Sequence, residues 1–153
     1  MKIAIGSDEK TSLTDAIVKE LGKRGHKLSL HGALTKDEPQ WPYVGEAVAE
    51  QVAKGAADEG VLFCWTGTGV CIAANKVPGI RAALCIDADT ARGARKWDHA
   101  NVLAMSLRST PEPIAKEILD AWFSTKFSQE KSDLRAVARI KAIEQKYAGK
   151  RVS

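Results

Sequence analysis

Short apolar runs alternate along the chain with longer stretches in which apolar residues recur every three or four positions. The short runs Lys2–Gly6, Lys27–Leu30, Gly60–Trp65, Ile80–Ile86 and Asn101–Met105 predict five strands. Gly60–Trp65 carries no polar side chain at all, as expected of a strand buried on both faces at the centre of a parallel sheet. Helical spacing predicts helices over 15–23, 44–54, 90–97, 113–123 and 133–147. A further helix opens at Gly67-Thr68-Gly69 and runs through Ala73-Ala74-Asn75. The segment from Asp37 to Pro42, with two prolines, reads as a loop. Strands alternating with helices predict an α/β protein: a three-layer α/β/α Rossmann-like sandwich on a five-stranded parallel sheet with right-handed crossovers. Neither a repeat nor a linker divides residues 1–153, which are expected to form a single domain.

Composition narrows the class. With 44% hydrophobic and 27% charged residues, the chain has enough apolar side chains to fold. No apolar run approaches the roughly 18 residues of a membrane span. The first eight residues turn polar too soon for a signal peptide. The net charge of +4 reads first as a solvated mixed surface, and more weakly as attraction for a small anion. The chain lacks a basic block interleaved with aromatics, which argues against nucleic acid as a partner. Three cysteines, an odd number, point to reduced thiols and a cytoplasmic location. His26, His31 and His99 keep no metal-ligand spacing with them, so no metal is expected.

Open α/β sheets bind ligands beyond the carboxyl ends of their strands. That rule selects Ser7-Asp8-Glu9, Cys64–Gly69, Asp87 and Ser106–Arg108. Trp97-Asp98-His99 precedes the fifth strand and reaches such a site only if its loop folds over. Phe63-Cys64-Trp65-Thr66-Gly67-Thr68-Gly69-Val70 is the most informative stretch. Its glycines and the helix start form a nest for an anion, but it lacks both the lysine of a phosphate-binding loop and the third glycine of a dinucleotide fingerprint. Cys64 stands just ahead of the nest, where a helix start favours thiolate. Such a thiolate can take a carbon-bound proton while the nest stabilises an enediolate oxygen. A small buried core residue explains Cys64 equally well, and spacing alone leaves both readings open. Cys71 and Cys85 read as core. Asp8 orients a hydroxyl or caps a helix, with Thr11, Ser12 and Thr14 competing for the cap. Lys131 and Arg135, four apart, clamp a phosphate or belong to a solvated basic face. Tryptophans fill cores, yet Trp41 before Pro42 and Trp65 inside the glycine loop suit a pocket wall.

Gly6-Ser7-Asp8, Cys64-x-Thr66-Gly67-x-Gly69, Ala73-Ala74-Asn75-Lys76-x-Pro78-Gly79-Ile80-Arg81 and Ala100-Asn101-Val102-Leu103-Ala104 together resemble the type B ribose-5-phosphate isomerases, whose fold the galactose-6-phosphate isomerase subunits share. The resemblance spans nearly the whole chain. It implies interconversion of aldose and ketose phosphates through an enediolate, without metal or cofactor. It also implies homodimers, often paired into tetramers, with each site at a subunit interface and the helix over about 131–147 on a partner. By position, Cys64 matches the base, Thr66 the hydroxyl beside it, and Gly67, Thr68, Gly69 and Val70 the anion hole. Asp8 matches the carboxylate that holds sugar hydroxyls. Trp41 stands at a pocket tyrosine, Arg108 at a phosphate-binding arginine, and Lys131 and Arg135 at two arginines reaching in from the partner. Ser7 and Asn101, inside the shared motifs, are further candidate substrate contacts.

The departures from the family pattern are as informative. Glu9 replaces a phosphate-binding histidine and would repel a phosphate. Trp97-Asp98 replaces the ring-opening histidine and the asparagine that steadies the enediolate, leaving Asp98 and His99 as candidates for that work. Trp65 replaces a small residue and narrows the pocket. A four-carbon ketose 4-phosphate, which cannot close a furanose, suits such a site; a five- or six-carbon phosphate handled with a different acid stays open. Two other classes compete: a sugar-phosphate sensor that has lost turnover, and a thiol redox protein using Cys64 and Cys71.

Overall fold

Side chains along the central strands alternate between two cores, and this alternation sets the architecture. The computed structural model describes residues 1–150. Strands β1 (Lys2–Ser7), β2 (Lys27–Gly32), β3 (Glu59–Cys64), β4 (Ala82–Leu84) and β5 (Val102–Ser106) form one parallel sheet in the order β2-β1-β3-β5-β4. Helices α1 (Ser12–Lys23), α4 (Ala88–Lys96) and α5 (Glu112–Ser124) cover one face, over Ile3, Ile5, Val61, Phe63, Leu103 and Met105. Helices α2 (Trp41–Ala53) and α3 (Thr68–Ala74) cover the other, over Ala4, Leu62, Cys64, Val102 and Ala104. Adjacent residues of β3 therefore serve opposite cores, and every residue of that strand is buried. Each large apolar side chain so buried stabilises the fold by roughly 1.5–3 kcal/mol. The expected α/β/α sandwich is the observed one.

Element boundaries differ from expectation for local reasons. Helix α1 starts at Ser12, because Thr11 and Thr14 form a reciprocal capping box. The proline-rich loop ends earlier than its composition suggests: Pro42 lies in the first turn of α2, where its missing N–H costs nothing. Strand β4 is shorter than Ile80–Ile86 because it is an edge strand paired only with β5. Beyond its end, Ile86 is 67% exposed.

The last helix, α6 (Lys131–Tyr147), belongs to neither layer. None of its residues is buried, and Leu134, Ile140 and Ile143 are exposed. It runs beside the edge of the sheet, tied there by the Gly79 N–H, which donates to Glu144 Oε1 at 2.9 Å. A groove of about 610 Å³ separates it from Ile80, Arg81 and Trp97. No described helix is long and apolar enough to cross a membrane.

Candidate active site

Strands β1, β3 and β5 are neighbours and end together: Ser7 pairs with Phe63, and Cys64 with Ser106. The chain leaves β1 for β2 on one side and β3 on the other, so the crevice beyond these ends lies at a switch in strand order. Ser7, Asp8, Cys64 and the glycine loop all meet there.

The loop's shape depends on Gly67. Its φ of 76° is left-handed, and a Cβ at that position would lie 2.8 Å from the Met105 carbonyl carbon. Only glycine lets the chain turn this tightly against β5. The Gly67 N–H donates to Cys64 O at 3.2 Å, and the first bond of α3 runs from Cys71 N–H to Gly67 O at 3.3 Å. The N–H groups of Thr68, Gly69 and Val70 precede that bond and point out of the helix start. Trp41 lies across Gly69, whose absent Cβ would sit 2.9 Å from the indole ring. The Thr66 and Thr68 hydroxyl oxygens are 2.6 Å apart. The turn after β5 braces the nest from behind. Leu107 N–H donates to Cys64 O and Arg108 N–H to Trp65 O, each at 2.9 Å. The Ser106 hydroxyl also donates to Trp65 O, at 2.9 Å.

Cys64 ends β3 just ahead of the glycine loop; it is 5% exposed and packs with the core under α2 and α3. The other thiols lie elsewhere: burial pushes Cys85 up to about 12, and it also raises Cys71, whose Sγ donates to Ala82 O at 3.4 Å. Because Thr11 caps α1, Asp8 is free of capping duty. Its Oδ1 is buried with no hydrogen-bond partner among the described residues. Burial, then the negative charge of Glu9, holds the Asp8 carboxyl above its ordinary value. The Ser7 hydroxyl serves the backbone instead, donating to Glu9 O at 2.6 Å. Trp41, Trp65 and Arg108 stand exposed at the rim.

The remaining candidates form a second cluster. Trp97, Asp98 and His99 precede β5, whose far end pairs with Cys64. The five residues of β5 therefore separate them from the thiol, a span of roughly 16 Å at 3.3 Å per residue. Their loop does not fold over to the carboxyl end. His99, expected to stand in as a proton carrier, is 8% exposed; its Nε2–H donates to Ser128 O at 3.0 Å, and its ring stacks on Phe127. Within its own chain these contacts are structural. Asn101, expected to contact substrate, instead braces a turn: its Oδ1 accepts from Arg81 N–H at 2.8 Å and its Nδ2 donates to Gly79 O at 3.0 Å. Trp97 and Asp98 line the groove beside α6, which carries Lys131 and Arg135 exposed on its first two turns.

One set of residues escaped the sequence reading. Glu59, Arg95, Trp122 and Phe127 form a buried to half-buried cluster with His99. These residues are far apart in the chain, and only an acid at the head of an apolar run hints at the cluster.

Comparison with known proteins places the sequence and the fold. Residues 3–143 match the model of the family described as Ribose/Galactose Isomerase. The chain is 38% identical over 146 residues to the ribose-5-phosphate isomerase B of Escherichia coli, covering 95% of this chain and 97% of that one. It is 38% identical over 129 residues to the D-erythrulose-4-phosphate isomerase of Pectobacterium atrosepticum, covering 83% and 85%. Among solved structures, the ribose-5-phosphate isomerase B of Clostridium thermocellum superposes with a TM-score of 0.88 at 40% identity, covering 96% and 99%. Sequence and fold thus agree, and the chain belongs to the ribose/galactose isomerase family.

Proposed function

We propose that the protein interconverts an aldose phosphate and its ketose isomer, with Cys64 as the base. One observation carries this reading. A buried thiol, a row of helix-start N–H groups and a partnerless carboxylate oxygen converge at one crevice. The Cys64 thiolate takes the proton from one of the first two sugar carbons and returns it to the other. The N–H groups of Gly67 to Val70 hold the enediolate oxygen formed between these steps, where fixed dipoles stabilise charge without reorganising. The Thr66 hydroxyl lies beside the transferring proton. Asp8 Oδ1 accepts a sugar hydroxyl and so gains the partner it lacks. Trp41 and Trp65 wall the pocket, and Arg108 meets the phosphate, which Glu9 keeps away from the β1 end.

Trp97 and Asp98 lie beyond reach of their own Cys64, and Lys131 and Arg135 stand exposed on α6. Together with the unburied α6, they support a site completed by a second copy of the chain, in a homodimer or a pair of dimers. The preferred substrate in this reading is a four-carbon ketose 4-phosphate. An indole at 97 exchanges no proton at neutral pH, and a tetrulose 4-phosphate needs no ring opening. Similarity to a protein named D-erythrulose-4-phosphate isomerase is in keeping with this. The test is a panel of four-, five- and six-carbon sugar phosphates. Isomer formation fastest on the tetrulose phosphate supports the reading. Efficient turnover of ribose 5-phosphate with none of tetruloses removes the substrate assignment. Binding without turnover or solvent deuterium exchange removes the enzyme.

A further inference from the structure

We infer that Trp122, Arg95, Phe127 and His99 form a positioning stack. It fixes Trp97, Asp98 and the head of α6 as one rigid unit for use in a second copy's site. The inference rests on the two-chain reading above.

The four side chains lie in series. The Arg95 guanidinium carbon is 4.9 Å from the Trp122 ring centre and 4.5 Å from that of Phe127. His99 stacks on Phe127 with centroids 4.4 Å apart and planes 8° from parallel. Glu59, at the start of β3, anchors the series: its Oε1 accepts from Arg95 Nη2 at 2.7 Å and its Oε2 from the Trp122 indole N–H at 2.5 Å. The free end is tied to the chain on both sides. Arg95 Nη1 donates to Ala100 O at 2.6 Å, His99 Nε2–H to Ser128 O at 3.0 Å, and Ser128 N–H to Lys96 O at 2.9 Å. The end of α4, the 97–101 turn and the 125–130 segment thus become one body.

The consequence falls on α6. It buries none of its residues, and its bond to Gly79 comes from Glu144, more than three turns after Lys131. The 125–130 segment, held by the stack, therefore sets where Lys131 and Arg135 begin. The stack also holds His99 at φ 50°, a left-handed conformation costly for a non-glycine residue, and so directs Trp97 and Asp98 just before it. None of the four stacked groups reaches Cys64, so these are positioning residues.

The test uses the full chain and Phe127, a half-buried residue outside the candidate site. Phe127→Leu removes the ring, and Phe127→Tyr keeps it. Phe127→Leu is expected to raise KM for the sugar phosphate between ten- and a hundredfold, with a smaller change in kcat, because a misplaced contact costs about that much. Phe127→Tyr restores KM to wild type. Phe127→Leu is then co-expressed with Cys64→Ala. In mixed pairs, the Phe127→Leu chain supplies an intact thiol and the Cys64→Ala chain an intact α6 head. At substrate below the wild-type KM, where Phe127→Leu alone keeps about a tenth of the activity or less, random pairing lets the mixture recover roughly a quarter of wild-type activity, since half the pairs hold one whole site. Arg135→Ala mixed with Cys64→Ala checks the two-chain reading alone. If that mixture recovers while the Phe127→Leu mixture does not, or if Phe127→Leu leaves KM unchanged, the stack has no positioning role. If neither mixture recovers, the two-chain reading fails and the stack proposal with it.

Discussion

At the carboxyl end of the sheet, the loop from Cys64 to Gly69 is held by hydrogen bonds to the next strand's turn and shaped by a glycine in a left-handed conformation close against β5. At the amino end, Trp97, Asp98 and the head of α6 are held by side chains drawn from residues 59 to 128. The first end closes on itself and needs only its neighbours. The second spends a buried ion pair and two aromatic rings on a surface that its own chain then leaves uncovered. The contrast separates two tasks: making a nest is local work on the backbone, while presenting groups across a gap requires a rigid, long-range support.

The largest effect belongs to the first end. Cys64→Ala is expected to lower kcat about 10³-fold, within the range for losing a positioned acid–base group, while leaving the fold intact. Isomer formation and solvent deuterium exchange should fall together, since both need the same proton transfer. Exchange persisting at the wild-type rate would move the base to another residue.

The second end should break by stability before chemistry. Burial pushes the Glu59 carboxyl up, and Arg95 and the Trp122 N–H pull it back. Glu59→Gln keeps the shape but leaves the Arg95 guanidinium, 11% exposed, without its counter-charge. Removing one partner of a buried pair costs about 3 kcal/mol, to be read by denaturant unfolding. A loss under about 1 kcal/mol would place the pair among the solvent-screened kind.

Gly67→Ala tests the local end in the same units. The left-handed φ and the approach to Met105 backbone together cost roughly 2–3 kcal/mol. Gly25→Ala is the control, with φ 82° and nothing near its absent Cβ, and should cost about 1 kcal/mol. Equal losses at both positions would mean that the contact with β5 contributes nothing.

The same contrast decides what could be read from sequence. Strand β3, the alternation of elements and the thiol beside the glycine loop were legible because each is written in adjacent residues. The start of α2 was not, because Pro42 marks a helix start as readily as a loop. Candidate residues at the carboxyl end were gathered by one rule about strand ends. Residues 97 to 99 were already placed before the fifth strand, away from the carboxyl ends; what the sequence left unread is what the side chains of 97 to 101 touch. His99 looked available for proton transfer until its neighbours Phe127 and Ser128, nearly thirty residues on, were known. Asn101 likewise looked available, and its amide proved committed to the turn at Gly79 and Arg81.

Asp8 offers the smallest and most discriminating test, because it and Glu59 are raised in the same direction for different ends. Glu59 is pulled back by the Arg95 and Trp122 side chains; Asp8 is pulled back only by the backbone N–H groups of Asp8 and Glu9, and its Oδ1 has no hydrogen-bond partner among the described residues. A carboxyl whose folded pKa lies above its unfolded value binds its proton more tightly in the folded state. Its ionisation therefore costs stability. The cost is absent below the ordinary carboxylate range and complete once pH exceeds the raised value. Asp8→Asn should remove it, so the variant melts slightly higher than wild type at pH 7 and at the same temperature near pH 3. Saturating sugar phosphate should reverse the order at pH 7, because a ligand hydroxyl gives the wild-type oxygen its partner and adds binding free energy to the folded state. A variant that melts lower than wild type without ligand at pH 7 would mean that the carboxylate already has a structural partner. A variant stabilised by the sugar phosphate as much as wild type would remove Asp8 from the substrate contacts and leave the nest to hold the sugar alone.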